Sequence, residues 1–245
     1  MKIAVASPKG GAGKTTLTAC LALSLLEAGK SVDVWDYDPQ AGLSNWMGRL
    51  GVDLDWMNAT KLGIAYVDLS EKINHSATYG GISGIDATSG RFWRLEPLTN
   101  PAQFQPTEVK MGGMTLKTIQ GAVPREAILG DFPPLAPKEL KERLAGWDRI
   151  LIPCQPSPVD VQAVVALVAV FGRDPRLRLV WNALDGSAYS RPDTLRVLSA
   201  EVGCSVAKAT IPRRVGFRNA QHSGWRGLDE ASKSAILSLA LEVTS

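Results

Sequence analysis

Pro8-Lys9-Gly10-Gly11-Ala12-Gly13-Lys14-Thr15-Thr16 is the stretch whose reading decides the fold. It follows a short apolar run at residues 3–6 and opens a segment, 15–27, in which Leu17, Leu21 and Leu25 recur with Ala22 and Leu26. That three-to-four-residue spacing predicts a helix. Gly29 supplies its stop, since glycine is favoured just past a helix end. Residues 31–35 then predict a strand running into Asp36-Tyr37-Asp38-Pro39-Gln40. Strand, glycine loop, helix and strand within about 35 residues make a βαβ unit, which implies parallel strands and a right-handed crossover.

The chemistry of the loop is that of an anion cradle. The plain G-x-x-x-x-G-K-[ST] pattern fails because Pro8 stands where its first glycine belongs. In the variant that is present, Gly10, Gly11, Ala12 and Gly13 let successive backbone N–H groups turn toward one anion. The helix N-terminus, with Thr16 in its first turn, adds partial positive charge. Lys14 would reach the β- and γ-phosphates of a nucleotide, and the Thr15 hydroxyl would bind Mg²⁺. Lys9 is a second lysine, five positions earlier; a solvated side chain is the structural alternative there. Asp36 and Asp38 fall at the carboxyl end of the second strand, the edge where ligands bind in open α/β sheets. An Asp-Pro turn at a strand end is the structural alternative there.

Farther along, residues 127–130 predict a short strand closed by Asp131, followed by Phe132, Pro133 and Pro134. A helix is expected over 138–144, a strand over 149–153, a helix over 159–170 and a strand over 178–181 ending at Asn182. Residues 192–202 predict a helix, 205–209 a strand and 230–243 a C-terminal helix. The middle of the chain, 51–125, is hard to read: a weak helix near 58–72, one or two short strands around 82–96, and otherwise loops with glycine-rich turns at 79–84 and 112–113. Loops that long are uncommon in a compact domain. With no repeat, low-complexity tract or linker, the expected architecture is one α/β domain over 1–245, a doubly wound, mostly parallel sheet with helices on both faces.

Four motifs now stand in order: the two-lysine loop, D-Y-D-P-Q at 36–40, D-F-P-P at 131–134, and I-P-C-Q-P-S-P-V-D at 152–160. Together they resemble the deviant Walker A P-loop ATPases, the family of ParA, MinD and the nitrogenase iron protein. The likeness is greatest to small plasmid-type ParA partition proteins without an N-terminal DNA-binding domain, and it covers residues 1–48 and 126–245. It implies ATP and Mg²⁺ as cofactors and a homodimer formed on ATP. Lys9 would then reach across to the partner's phosphates, comparable in role to an arginine finger. By the same resemblance Lys9, Lys14 and Asp38 carry catalysis, Asp38 orienting the attacking water or its Mg²⁺ network. Asp131 is the Walker B carboxylate that binds a Mg²⁺-bound water near Thr15, and Asp36 is structural. Pro156, Pro158 and Asp160 shape the dimer face, the Asn182 amide contacts adenine, and Pro212 borders the base. Two departures from the family pattern stand out: Gly130 in a short Walker B strand, and Phe132 where a small or hydroxyl residue is usual.

The 245 residues hold 27 Lys+Arg against 24 Asp+Glu, a net +3, with 45% apolar and 21% charged residues. This composition excludes a disordered or fibrous chain. The charge is uneven. Residues 206–228 contain Lys208, Arg213, Arg214, Arg218 and Arg226 with no Asp or Glu. Such a patch suits contact with a phosphate backbone; a solvated surface with some arginines serving the nucleotide is the alternative. The family resemblance implies non-specific DNA binding by Lys208, Arg213, Arg214 and Arg218. Residues 229–245 lack the basic polar face a membrane-surface helix needs. Cys20, Cys154 and Cys204 are scattered and odd in number, which argues for a reducing compartment and for apolar filler rather than an Fe–S site. His75 and His222 form no ligand pattern.

The expectation is a cytoplasmic, nucleoid-associated ATPase switch that moves a plasmid, a chromosome or a protein assembly, with a ParB-like partner stimulating hydrolysis. Two alternatives stay open: an ATP-dependent synthetase on the same fold, and a nucleotide-binding regulator that does not hydrolyse.

Overall fold

The computed structural model describes residues 1–30, 32–43, 45–46 and 126–245, together with the backbone of four strands at 62–68, 91–97, 106–111 and 114–119. Ten strands and six α-helices are described: β1 (Lys2–Val5), α1 (Lys14–Glu27), β2 (Val32–Asp36), β3 (Leu62–Asp68), β4 (Arg91–Pro97), β5 (Pro106–Met111), β6 (Met114–Ile119), β7 (Ala127–Asp131), α2 (Pro137–Arg143), β8 (Arg149–Cys154), α3 (Pro158–Phe171), β9 (Leu177–Trp181), α4 (Pro192–Val202), β10 (Ser205–Val206), α5 (Gly216–Ser223) and α6 (Glu230–Thr244). A 3-10 turn, Gly224–Gly227, joins α5 to the segment before α6.

Eight strands form one sheet in the order β10-β9-β8-β1-β7-β2-β4-β3. The six from β10 to β2 are parallel. β4 runs antiparallel to β2, and β3 antiparallel to β4. The expected doubly wound, mostly parallel sheet is therefore present, with an antiparallel edge that the sequence reading did not foresee.

Alternation along the parallel strands divides the interior in two. Ile3, Val5, Val32, Val34, Leu129, Leu151 and Val180 face one side, where α1 and α6 pack with Ala220 of α5 and Trp225 of the 3-10 turn. Ala4, Trp35, Ile128, Ile150, Ile152, Leu179 and Trp181 face the other, under α2, α3 and α4. Strands covered on both faces have near-continuous apolar sequences, as these do. α1 is buried along most of its length, from Lys14 to Leu26, because it lies between the sheet and α6.

The middle of the chain corrects the sequence reading. The helix expected near 58–72 is, where described, the strand β3, and residues 58–61 and 69–72 lie outside the described residues. Leu62-Gly63-Ile64-Ala65-Tyr66-Val67 is apolar at both odd and even positions, so periodicity alone could not separate strand from helix. Its Ile, Tyr and Val favour a strand, and pairing with β4 decides. The strand expected around 82–96 is β4, shifted to 91–97; residues 82–90 lie outside the described residues, as does the turn at 79–84. β5 and β6, read as loop from sequence, form a separate hairpin with Met111 opposite Met114. Gly112-Gly113 between two runs was its signal. The strand expected at 205–209 is only Ser205–Val206, and α5 was not foreseen at all.

Candidate nucleotide site at the carboxyl edge of the sheet

The parallel strands bring their carboxyl ends to one edge. β7 lies between β1 and β2, with Val5 opposite Asp131 and Asp36 opposite Asp131 in register. The loops after β1, β2, β7, β8 and β9 therefore converge where the strand order reverses, the usual ligand crevice of such a sheet.

The phosphate loop ends at Gly13, which caps α1 in the left-handed conformation with φ +91°. A Cβ there would also overlap the Asn182 amide, so both backbone and space require glycine. The first N–H groups of α1 have no helical acceptor and face the loop. No acidic side chain occupies its first turn to compete for an anion. Two amides brace the loop from outside: Asn182 Nδ2 donates to Ala12 O at 2.7 Å, and Gln155 Nε2 donates to Gly11 O at 3.0 Å. Lys14 is buried, and its Nζ donates to Lys9 O at 3.0 Å. Burial pushes its ammonium below the ordinary range, while Asp131 and Asp38 pull it back up. A lysine held among carboxylates in a half-dry site is poised for another anion.

The carboxylates sit under that lysine. Thr15 Oγ1 donates to Asp131 Oδ2 at 2.7 Å. The other oxygen, Asp131 Oδ1, is buried and accepts no hydrogen bond among the described residues. Burial pushes the Asp131 carboxyl up to about 7; Asp36 and Asp38 add to the rise, and the Thr15 hydrogen bond and Lys14 oppose it. Asp36 is buried and accepts from Asp38 N at 3.1 Å, and Asp38 Oδ1 accepts from Gln40 N at 2.9 Å. Each Asx contact fixes the turn that carries Asp38, close enough for its charge to act on Lys14. An unsatisfied buried carboxylate oxygen beside a hydroxyl is what a hard cation would complete, so these residues fit Mg²⁺. Among the described residues no three His, Cys, Asp or Glu side chains could hold a metal by themselves. Phosphate oxygens would have to supply the remaining ligands, as is usual for Mg²⁺.

Both departures from the family pattern have one physical cause. Phe132 stacks on Tyr37 with centroids 4.6 Å apart and meets Trp147 edge-on at 5.4 Å. Tyr37 in turn stacks on Trp35. Trp147 lies so close to Gly130 that a Cβ there would overlap its ring. Gly130 and Phe132 thus belong to an aromatic cluster directly beneath the acidic edge.

Lys9 does not point into open solvent. Its Nζ lies 2.7 Å from Asp160 Oδ1, and Asp160, near the start of α3, is buried. Ser157 caps α3 and also donates to Asp160. On the far side of the loop, a cavity of about 160 Å³ is lined by Gly13, Thr16, Leu17, Asn182, Ile211, Pro212, Arg213, Arg214, Phe217 and Ile236. Pro212 is set there by a bridge to Leu184, whose N–H donates to Ile211 O. An apolar slot floored by a helix N-terminus and edged by an amide suits a flat base.

Over residues 3–224 the chain matches the CobQ/CobB/MinD/ParA nucleotide binding domain. The chain belongs to this family. It is 27% identical over 232 residues to the chromosome-partitioning ATPase Soj of Thermus thermophilus, covering 91% of this chain and 85% of that one. Identity to the maintenance of carboxysome distribution protein A of Halothiobacillus neapolitanus is 26% over 230 residues, or 91% and 84% of the two chains. A plasmid partition protein of Borrelia burgdorferi, solved with AMPPNP, superposes with a TM-score of 0.57 at 20% identity over 99% of this chain and 97% of that one. The fold is thus the P-loop fold that MinD and ParA proteins share.

The basic segment divides on inspection. Arg213 and Arg214 line the cavity, and Arg213 Nη2 lies 3.5 Å from Gln155 Oε1. Arg214 pairs loosely with Asp229, at 4.0 Å. Lys208, Arg218 and Arg226 are exposed and do not line the cavity. Glu242 holds the backbone N–H groups of Lys208 and Ala209, at 2.9 and 3.2 Å, and pairs with Arg178. Sequence reasoning missed Gln155 and Trp46 and gave Asp160 no link to Lys9; nothing local in the sequence marks these partners. Cys20 and Cys154 are buried, and burial pushes both thiols up to about 12, which leaves them inert at neutral pH. Among the described residues no helix is long and apolar enough to cross a membrane.

Proposed function

We propose that the chain is a single-domain ATPase, dimerising on ATP, that binds DNA non-specifically and positions a cargo. The observation that carries this reading is the Thr15–Asp131 hydrogen bond beneath Lys14, with Asp131 Oδ1 left open to a cation. It is the chemistry of a Mg²⁺-nucleotide site rather than of a plain glycine turn.

In this reading Gly10 to Gly13 and the α1 N-terminus bind the phosphates, and Lys14 neutralises the β–γ bridge. Thr15 and Asp131, with Asp38 acting through water, would hold Mg²⁺, which would supply positive charge to screen the transferring phosphoryl group. Asp38 orients the water whose oxygen forms the new bond to the γ-phosphorus as the bond to the β-bridging oxygen breaks. ADP and phosphate leave, and the water's proton passes to solvent. Lys9, supplied by the partner subunit, stabilises charge in the transition state. Asn182 and Pro212 seat the adenine. A ParB-like partner would accelerate an otherwise slow turnover, and the working location is the cytoplasm, on the nucleoid.

The cations of the basic segment support the DNA surface, with Arg213 and Arg214 shared between base and backbone. The test uses the residues outside the cavity. Wild type is expected to sediment with DNA in ATP and not in ADP, with a steep loss as salt rises. Lys208→Glu/Arg218→Glu should abolish sedimentation while ATP affinity stays unchanged. Undiminished DNA binding by that double variant would refute the surface assignment.

A further inference from the structure

Trp46 is fully buried, ten residues beyond the end of β2, and its indole Nε1 donates to Ala220 O at 3.1 Å. Ala220 lies in α5, the helix that carries Arg218. Its carbonyl is among the last of that helix and also accepts from Gly224 N. The segment leading to Trp46 is the Asp38 turn. Asp38 O accepts from Ala41 N at 2.9 Å, and Ala41 O accepts from Asn45 N at 2.8 Å. Ala41 itself adopts φ +56°, a conformation that costs a residue with a Cβ and that the surrounding bonds hold in place. Gly42 lies against Thr15: a Cβ there would sit in ordinary contact, 3.5 Å from Thr15 Oγ1. The Gly227 backbone also presses on the Asn219–Ala220 peptide, where a Cβ would stand 2.7 Å from Asn219 C. α5 is therefore held at Ala220 by both Trp46 and the 3-10 turn. One end of this path lies against Thr15 and Asp38; the other is α5, the helix that carries Arg218.

We infer that Trp46 is a coupling residue, transmitting the nucleotide state of the Asp38 turn to α5 and so setting how the basic surface is presented to a polyanion. The inference rests on the proposed nucleotide site and basic surface. A rigid indole suits the role: the backbone bonds from Asp38 through Ala41 to Asn45 tie it to the turn, and its N–H fixes the helix at one point rather than merely packing against it. A ligand that moves the Asp38 turn must either carry α5 with it or break this bond, which gives two discrete arrangements rather than a continuum.

The experiment compares the full chain with Trp46→Phe, which keeps the aromatic bulk and removes the donor. Hydrogen exchange of the α5 amides and affinity for duplex DNA are both measured in ATP·Mg²⁺ and in ADP·Mg²⁺. In wild type, α5 protection should differ between the nucleotides, and DNA affinity should differ by about tenfold. In Trp46→Phe, ATP affinity and basal hydrolysis should stay within about twofold, while both differences shrink by about fivefold. A variant that keeps the wild-type difference in α5 exchange overturns the inference. Failure of wild type to bind DNA in either state refutes the basic surface instead, and the exchange measurement still decides on Trp46. Should Trp46→Phe not fold, the wild-type indole N–H resonance reads the same bond. A shift between ATP and ADP supports the coupling, and identical resonances contradict it.

Discussion

Lys9 Nζ lies 2.7 Å from Asp160 Oδ1, within its own chain. In the proposed mechanism that ammonium belongs on a partner's phosphates, so Asp160 and the phosphates compete for it. Lys9 is 41% exposed and Asp160 only 8%, so solvent screens one end of the pair and not the other. Release leaves Asp160 with Ser157 as its side-chain partner, and contacts across the dimer must supply the difference. Asp160→Asn removes the competing charge and should let the ATP-bound dimer form at a two- to tenfold lower protein concentration, roughly the scale of a partly exposed ion pair. Sedimentation velocity across a dilution series measures this. A weaker dimer in that variant would mean that Asp160 supports assembly rather than opposing it.

The acidic edge predicts how stability depends on pH. Burial raises the Asp131 carboxyl from 3.8 to about 7 in the ligand-free protein. A carboxyl whose folded value is raised contributes stability that is complete below its unfolded value and is lost as pH rises through the folded one. The ligand-free chain should therefore become easier to denature with urea between about pH 4 and pH 7, and Asp131→Asn should flatten that part of the profile. An unchanged slope in Asp131→Asn would contradict the assignment.

Gly130 and Trp147 make a separable packing claim. Gly130→Ala should destabilise the fold by about 1–3 kcal/mol, the usual cost of overpacking a filled site. Trp147→Leu, which removes the ring the new methyl meets, should recover part of that loss in the double variant. Urea denaturation of the two single variants and the double variant measures the coupling. Strict additivity would show that the close approach is not what requires glycine.

The parallel half of the sheet was legible because its signals are local. Leu17, Leu21 and Leu25 mark α1, and Gly13 and Asp131 mark the turns at the strand ends. The loops that form the nucleotide site follow from that order, since parallel strands put their carboxyl ends together. What failed was of another kind. β3 was expected as helix because residues 62–67 are apolar at both odd and even positions, so pairing with β4 settles the matter. The β5–β6 hairpin had its Gly112-Gly113 signal and was missed because the flanking strands mix charged and apolar residues. α5 was hidden by reading 206–228 only for charge. The contacts Lys9–Asp160, Gln155–Gly11 and Trp46–Ala220 span 144 to 174 residues in sequence, and nothing in a single chain's local pattern records such partners. The same holds for Gly130: from sequence it looked like a flaw in a strand, and only Trp147 explains it.

The most direct test of the account is a crystal structure with ATP and Mg²⁺ of Asp38→Ala, the variant that removes the carboxylate proposed to orient the attacking water. The prediction is a two-fold dimer in which each Lys9 has left Asp160 and lies within hydrogen-bond distance of its partner's γ-phosphate. An ATP-bound monomer, or a dimer with Lys9 still paired to Asp160 of its own chain, would contradict it.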